Sequence, residues 1–155
     1  MKKLTIIIPI FLLIFLICGK SAMAQTASGA INEKTVKRGK LASGKIILTI
    51  PNDLHVNSNK PSDEFLIPTN VKFTNSNVKI GKIIYPKAKF KKFSFSEKPL
   101  SIYEGQAIIN FTFLIPTNFN NNEVNIDAVV QFQACNHEVC FPPKKQKVTL
   151  SAKIK

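Results

Sequence analysis

The stretch from residue 123 to residue 132 reads EVNIDAVVQF, and every second residue in it is apolar. The apolar set consists of Val124, Ile126, Ala128, Val130 and Phe132. Because successive side chains of an extended chain point to opposite faces, this period of two places the whole set on one side of a β-strand. The stretch is therefore predicted to form a strand with one face towards a core.

Three further stretches alternate in the same way. They run from Ile46 to Ile50, from Ile109 to Ile115 and from Val148 to Ile154. Pro, Asn and Asp residues separate the four stretches, and no window of about 12 residues shows a helical stripe. Short strands separated by turns over about 110 residues predict an all-β fold, an immunoglobulin-like antiparallel β-sandwich. We assign this domain to residues 45–155.

The first 24 residues have the composition of a secretory signal peptide. Two lysines precede an uncharged apolar run from Leu4 to Cys18, and a stretch of small residues ends in a cleavage site after Ala24. The run is shorter than the roughly 20 residues of a membrane span, and the bulky residues before Cys18 disfavour lipid attachment there. We therefore expect Sec export to the periplasm or another extracytoplasmic site, with no transmembrane segment in the mature chain.

Cleavage after Ala24 would leave a basic chain that begins with a polar segment. Residues 25–44 contain three glycines and are predicted to form a flexible N-terminal arm. The loss of three lysines lowers the formal net charge from +13 to about +10. The basic residues are dispersed, without the interleaved aromatics of nucleic-acid-binding motifs, so we expect no nucleic-acid partner. We expect instead a solvated basic surface, able to contact anionic membranes peripherally.

The predicted mature chain keeps two cysteines. Cys135 and Cys140 are separated by Asn-His-Glu-Val, and Phe-Pro-Pro follows directly. Outside the cytoplasm, two cysteines in one chain are expected to form a disulfide. One predicted strand ends at Cys135 and another begins after the prolines, so both thiols are expected at one turn at an end of the sandwich.

The residues alone leave two roles open for this pair. A structural disulfide that closes so short a loop stabilises the fold by only about 2 kcal/mol, whereas exposure at a turn favours exchange with other thiols. His137 and Lys144 would favour the reactive thiolate, and Glu138 would oppose it. The alternatives are a redox-active disulfide and an inert disulfide in an immunoglobulin-like binding module.

A metal site is a third alternative. Cys135, His137 and Cys140, together with His55, would form a soft donor set suited to copper or zinc. The cysteine spacing is not that of a C-x2-C motif, and the chain has only two histidines. We therefore predict no metal and no cofactor. No paired-carboxylate, phosphate-loop or serine-nucleophile pattern in the sequence indicates a conventional enzyme active site.

Several segments of the sequence resemble one known family. The strongest are VVQFQAC at Val129–Cys135, CFPP at Cys140–Pro143 and VTL at Val148–Leu150, with moderate likeness at Leu54–Pro61 and Ser101–Gly105. They resemble the N-terminal domain of the thiol:disulfide interchange protein DsbD over nearly the whole predicted sandwich. The resemblance implies an immunoglobulin-like fold with the cysteine pair on one hairpin.

The same resemblance implies electron transfer by disulfide exchange. Such a domain takes electrons from a thioredoxin-like donor and reduces disulfides on extracytoplasmic proteins. Cys140 corresponds to the cysteine that forms the mixed disulfide with a partner, and Cys135 to the cysteine that resolves it. The transmembrane and thioredoxin-like domains of the full transporter do not occur in this sequence, so a separate donor protein is expected.

The family also implies a cap loop whose phenylalanine shields the disulfide. The matching stretch is residues 90–97, with Phe93 and Phe95 as candidates. Lys91 and Lys92 precede Phe93, where some family members carry an acidic pair, and this departure puts a role for carboxylates near the thiols in doubt. The loop between the cysteines is also one residue shorter than in the best-known form.

Overall fold

The computed structural model describes residues 25–155, without the side chains of Asn75 and Ser76. Its regular elements are the strands β1 (Thr26–Ile31), β2 (Thr35–Val36), β3 (Leu41–Thr49), β4 (His55–Asn57), β5 (Asn70–Ser76), β6 (Lys79–Ile84), β7 (Lys89–Lys91), β8 (Leu100–Tyr103), β9 (Gln106–Leu114), β10 (Glu123–Phe132), β11 (Ala134–Cys135) and β12 (Lys144–Ile154). The predicted signal peptide, residues 1–24, lies outside the described residues. Within residues 25–155, no helix is long and apolar enough to cross a membrane.

Two four-stranded sheets form the sandwich, with strand orders β1-β3-β9-β6 and β2-β12-β10-β5. The four alternating stretches of the sequence lie almost entirely within β3, β9, β10 and β12, and their apolar faces meet in one buried cluster. Phe111 and Phe113 from the first sheet and Phe132 from the second are the largest fully buried side chains in this core. The predicted all-β sandwich is confirmed.

The N-terminal segment differs from the sequence prediction. In place of a flexible arm over residues 25–44, β1 pairs antiparallel with β3 along its whole length, and β2 pairs in parallel with the end of β12. The side-chain amide of Gln146 donates to the Gln25 carbonyl at 2.7 Å. A Cβ atom on Gly44 would come within 2.5 Å of the Phe111 ring. This glycine therefore permits close packing of the strands, which composition alone does not distinguish from flexibility.

A third sheet carries the cysteine pair, with the order β11-β4-β8-β7. The strand β10 leads into β11 through the single residue Gln133, and β8 leads into β9 through a turn at Glu104 and Gly105. Gly105 has a φ of 68°, a left-handed conformation that glycine adopts without strain. The third sheet thus continues strands from both halves of the sandwich, and it has a small apolar cluster of its own that includes Phe93.

Candidate functional site

The two cysteines form a disulfide whose halves are unequally buried. Their Sγ atoms are 2.04 Å apart and their Cα atoms 3.9 Å apart. Cys135 is fully buried in β11, while Cys140 is only half-buried. The side of the disulfide that another protein can approach is therefore the Cys140 side.

Backbone hydrogen bonds hold the short loop between the cysteines. The Asn136 amide donates to the Val139 carbonyl at 3.0 Å, and the Phe141 amide donates to the Ala134 carbonyl at 2.8 Å. Asn136 Oδ1 also accepts from the amides of Glu138 and Val139, at 2.8 and 2.7 Å. An asparagine whose side chain accepts from amides two and three residues on is typical of a tight turn, so the position of Cys140 is set by the loop itself.

A side-chain network that the sequence analysis missed anchors this hairpin. Gln133 Oε1 accepts from Asn57 Nδ2 at 3.1 Å and from the Ile67 amide at 3.2 Å. Gln133 Nε2 donates to the Phe141 carbonyl at 3.2 Å. Gln133 therefore connects β4 to the residue that follows Cys140. The sequence signal for it was its place in the QAC motif, two residues before Cys135.

The predicted cap stretch lies on the cysteine hairpin, and the structure distinguishes its two phenylalanines. Phe93 is 4% exposed, stacks on the His55 ring with centroids 4.2 Å apart, and meets the His137 ring edge-on at 6.1 Å. Phe95 is 40% exposed, and its ring stacks on the Phe93 ring with centroids 5.4 Å apart. Ser94 Oγ donates to the His137 carbonyl at 3.4 Å. Phe93 is therefore the inner aromatic of this loop.

His55 lies next to the disulfide, although the sequence suggested it only as a metal ligand. It stands directly opposite Cys135 in the β4–β11 pairing and is 3% exposed. Its Nε2 atom has no hydrogen-bond partner among the described residues. Burial lowers the pKa of His55 from 6.5 to about 4; Glu104 acts in the opposite direction, while Lys91 and His137 lower the pKa further. His55 is therefore a neutral, buried imidazole beside the inner cysteine.

The metal alternative finds no further support. Among residues 25–155, no group of three or more His, Cys, Asp or Glu side chains is placed to hold a metal ion. The two sulfurs that would belong to such a site are joined to each other.

A carboxylate lies close to the cap loop despite the two lysines that precede Phe93. Glu104 accepts from Lys91 at 3.0 Å and from Lys89 at 3.3 Å. The hydrogen bond from Lys91 is the main reason that the pKa of Glu104 is lowered. Lys91 Nζ also lies 5.6 Å from the centroid of the Phe93 ring. The charge of Lys91 is thus compensated by a residue of the β8–β9 turn, which sequence proximity could not indicate.

The other predicted members of the thiol environment lie at the surface. His137 and Glu138 are exposed in the loop, and Lys144 is exposed at the start of β12, opposite Phe132. The side chains of Glu138 and Lys144 make no hydrogen bond or ion pair with another residue in the described part of the chain. Their influence on the thiols stays a prediction.

A β-sandwich whose hairpin offers one half of a disulfide beside an aromatic loop has the architecture of a thiol–disulfide exchange domain. The family model described as thiol:disulfide interchange protein DsbD, N-terminal, matches residues 30–152. The chain belongs to this family, and it is a thiol–disulfide exchange domain.

Two solved structures to which the chain is similar are N-terminal domains of larger proteins. The DsbD N-terminal domain of Neisseria meningitidis, in the reduced form, is 15% identical, with a TM-score of 0.43 over 71% of this chain and 77% of that one. The N-terminal periplasmic domain of ScsB from Proteus mirabilis is 11% identical, with a TM-score of 0.52 over 80% of this chain. The chain spans only 44% of the length of that ScsB domain. No curated protein matches the sequence.

Proposed function

We propose that this domain carries electrons outside the cytoplasm, from a thioredoxin-like donor to disulfide-bearing secreted or periplasmic proteins. The observation that carries the proposal is the unequal burial of the disulfide, with Cys135 enclosed and Cys140 half-exposed. An incoming thiolate then meets Cys140 first, in agreement with the role that the family resemblance gives to this residue. Sec export through residues 1–24, and contact of the basic surface with anionic membranes, belong to the same proposal.

The proposed cycle consists of thiolate attacks on disulfide sulfurs. A donor thiolate attacks Cys140 Sγ, a donor–Cys140 bond forms, and the electron pair of the broken bond leaves on Cys135 Sγ. The second donor thiolate then attacks the donor sulfur of this mixed disulfide, which closes the donor disulfide and releases the Cys140 thiolate. Two protons complete the dithiol. Delivery to a client runs in reverse: Cys140 attacks the client disulfide, and Cys135 resolves the product.

The surface around Cys140 suits docking of a partner protein. Phe95, Val139 and Phe141 are 40%, 51% and 40% exposed, and the last two directly flank Cys140 in the chain. Apolar side chains that remain exposed beside a reactive group are typical of a protein–protein interface. We assign Phe93 as the cap residue and Phe95 to the docking rim, because only Phe93 is enclosed against the site.

The test uses single cysteine variants of the secreted protein with an oxidised thioredoxin-like protein as probe, whose disulfide a free thiolate can attack. Cys135→Ser leaves Cys140 free to attack but removes the resolving thiol, so it should accumulate a mixed disulfide on non-reducing gels. Cys140→Ser is the matched control and should accumulate none. A Cys135→Ser protein that captures no partner through Cys140, together with a wild-type disulfide that is reduced only in denaturant, would contradict the proposal and favour an inert structural disulfide.

A further inference from the structure

We propose that His55 stabilises the dithiol form of the domain. Its Nε2 atom is unpaired while the disulfide is closed, and it accepts a hydrogen bond from the Cys135 thiol when the disulfide opens. This inference rests on the proposed function for its purpose, although its main test needs no protein partner. It assigns a role to a buried side chain that the exchange steps themselves do not require.

Strand register brings the two residues together. His55 and Cys135 are direct partners in the antiparallel β4–β11 pair, so their side chains leave the same face of the sheet with Cβ atoms about 5 Å apart. Phe93 stacks on the imidazole and holds the ring in place. The two residues are 3% and 0% exposed, so solvent has little access to either group. The Cys135 sulfur is thus the reactive atom that β11 places opposite His55.

The unpaired Nε2 makes the two redox states unequal. A buried polar atom without a hydrogen bond is costly, and native proteins rarely tolerate one without a functional reason. In the disulfide form the Cys135 sulfur has no hydrogen to donate, and Nε2 finds no other partner among the described residues. Reduction creates an S–H group at the same sulfur. His55 therefore disfavours the closed disulfide and favours the dithiol.

The imidazole also has a task during delivery of electrons. When Cys135 attacks Cys140 Sγ in a mixed disulfide, its sulfur must lose a proton, and the electron pair of the broken bond leaves on the client sulfur. Nε2 takes the proton from Cys135 as the new S–S bond forms, and passes it to solvent or to the client thiolate. Burial lowers the pKa of the imidazole, and of the groups that face the ring Glu104 raises the pKa while Lys91 and His137 lower it, so the proton is held only transiently in this site.

The first measurement is the equilibrium of the full protein with glutathione. His55→Phe keeps a ring to stack on Phe93 but removes the hydrogen-bonding atom, so the equilibrium should shift about tenfold towards the disulfide, about 30 mV in potential. His55→Gln restores a polar side chain and should recover part of the shift. Leu41→Phe places a ring at an exposed position of β3, in the sandwich, and should leave the equilibrium as in wild type.

Two further readouts separate this role from mere packing. Resolution of a preformed Cys140–glutathione mixed disulfide should be slower in His55→Phe, with its pH profile moved to higher pH. In the wild-type protein, the ¹⁵N resonance of His55 Nε2 should differ between the disulfide and dithiol forms, a measurement that depends on no variant folding.

Two results would overturn the inference: an equilibrium constant for His55→Phe within about twofold of wild type, or an Nε2 resonance that is the same in both redox states. Neither bears on the proposed function, which fails separately if the Cys135→Ser protein captures no thioredoxin-like partner.

Discussion

The sandwich core and the third sheet are buried in different ways. The core between the two large sheets is almost entirely apolar, whereas five of the six buried polar residues in the described part of the chain lie around β4 and β8. These five are His55, Asn57, Ser58, Thr69 and Ser101. Ser58 and Ser101 share a hydrogen bond of 2.8 Å, and Thr69 donates to the Asn57 carbonyl at 2.6 Å. Apolar area holds the sandwich together, while directed hydrogen bonds fix atoms around the disulfide.

The largest expected effect tests the apolar half of this comparison. Phe132→Ala removes a fully buried ring from the core and should lower the free energy of unfolding by about 3–5 kcal/mol. Chemical denaturation measures this loss, and Phe65→Ala, at a side chain that is 84% exposed, is the control and should change stability by less than about 0.5 kcal/mol. The glutathione equilibrium of the folded Phe132→Ala protein should stay unchanged. A shift in it would show that the core and the site are not separate.

The same contrast explains how far the fold could be predicted from the sequence. The alternation in β10 and β12 is strict because each strand has one face towards the core. The period of two in the sequence was therefore enough to predict both strands. The glycines of residues 25–44 suggest mobility, but Gly44 lies in β3 and permits close packing against Phe111. The two-residue strand β2 is too short for any periodic signal, and its parallel pairing with β12 follows from tertiary packing alone.

A second effect tests the polar half through pH. The pKa of His55 falls from 6.5 to about 4 in the folded disulfide form, mainly because of burial, so the unfolded chain binds more protons between these values. The contribution of neutral His55 to the free energy of unfolding should therefore be fully present above pH 6.5. The free energy of unfolding should fall by up to about 3 kcal/mol as the pH drops towards 4. In His55→Phe this component should vanish. The pKa of Glu104 is also lowered, so its own contribution is lost only at more acidic pH and persists in the variant.

Denaturation curves of both proteins across this pH range provide the measurement, with His137→Phe as the control for the exposed histidine. Equal acid sensitivity of the wild type and His55→Phe would mean that the imidazole is solvated. His55 would then no longer count among the buried polar residues that distinguish the third sheet from the sandwich core.

The candidate site was less predictable than the fold. The sequence indicated the disulfide because Cys135 and Cys140 are neighbours at one turn, and the motif around them pointed to the family. His55 and Glu104 reach the site from β4 and from the β8–β9 turn, and no local pattern connects them with a hairpin that follows much later in the chain. Contacts of this kind depend on which strands lie side by side in the fold, and a single sequence does not encode that in any periodic form.

The smallest expected effect concerns the cap loop, where Phe93 packs against His55 of the polar site. Phe93→Leu keeps an apolar side chain but loses the ring stacked on His55 at 4.2 Å, an interaction worth about 1 kcal/mol. If Phe93 is the cap, opening becomes easier by that amount, and a small thiol should reduce the disulfide about fivefold faster. Phe95→Leu, at an exposed position of the same loop, is the matched control and should change the rate less than about twofold. The opposite ranking of the two variants would transfer the cap role to Phe95 and leave Phe93 as a packing residue of the small cluster.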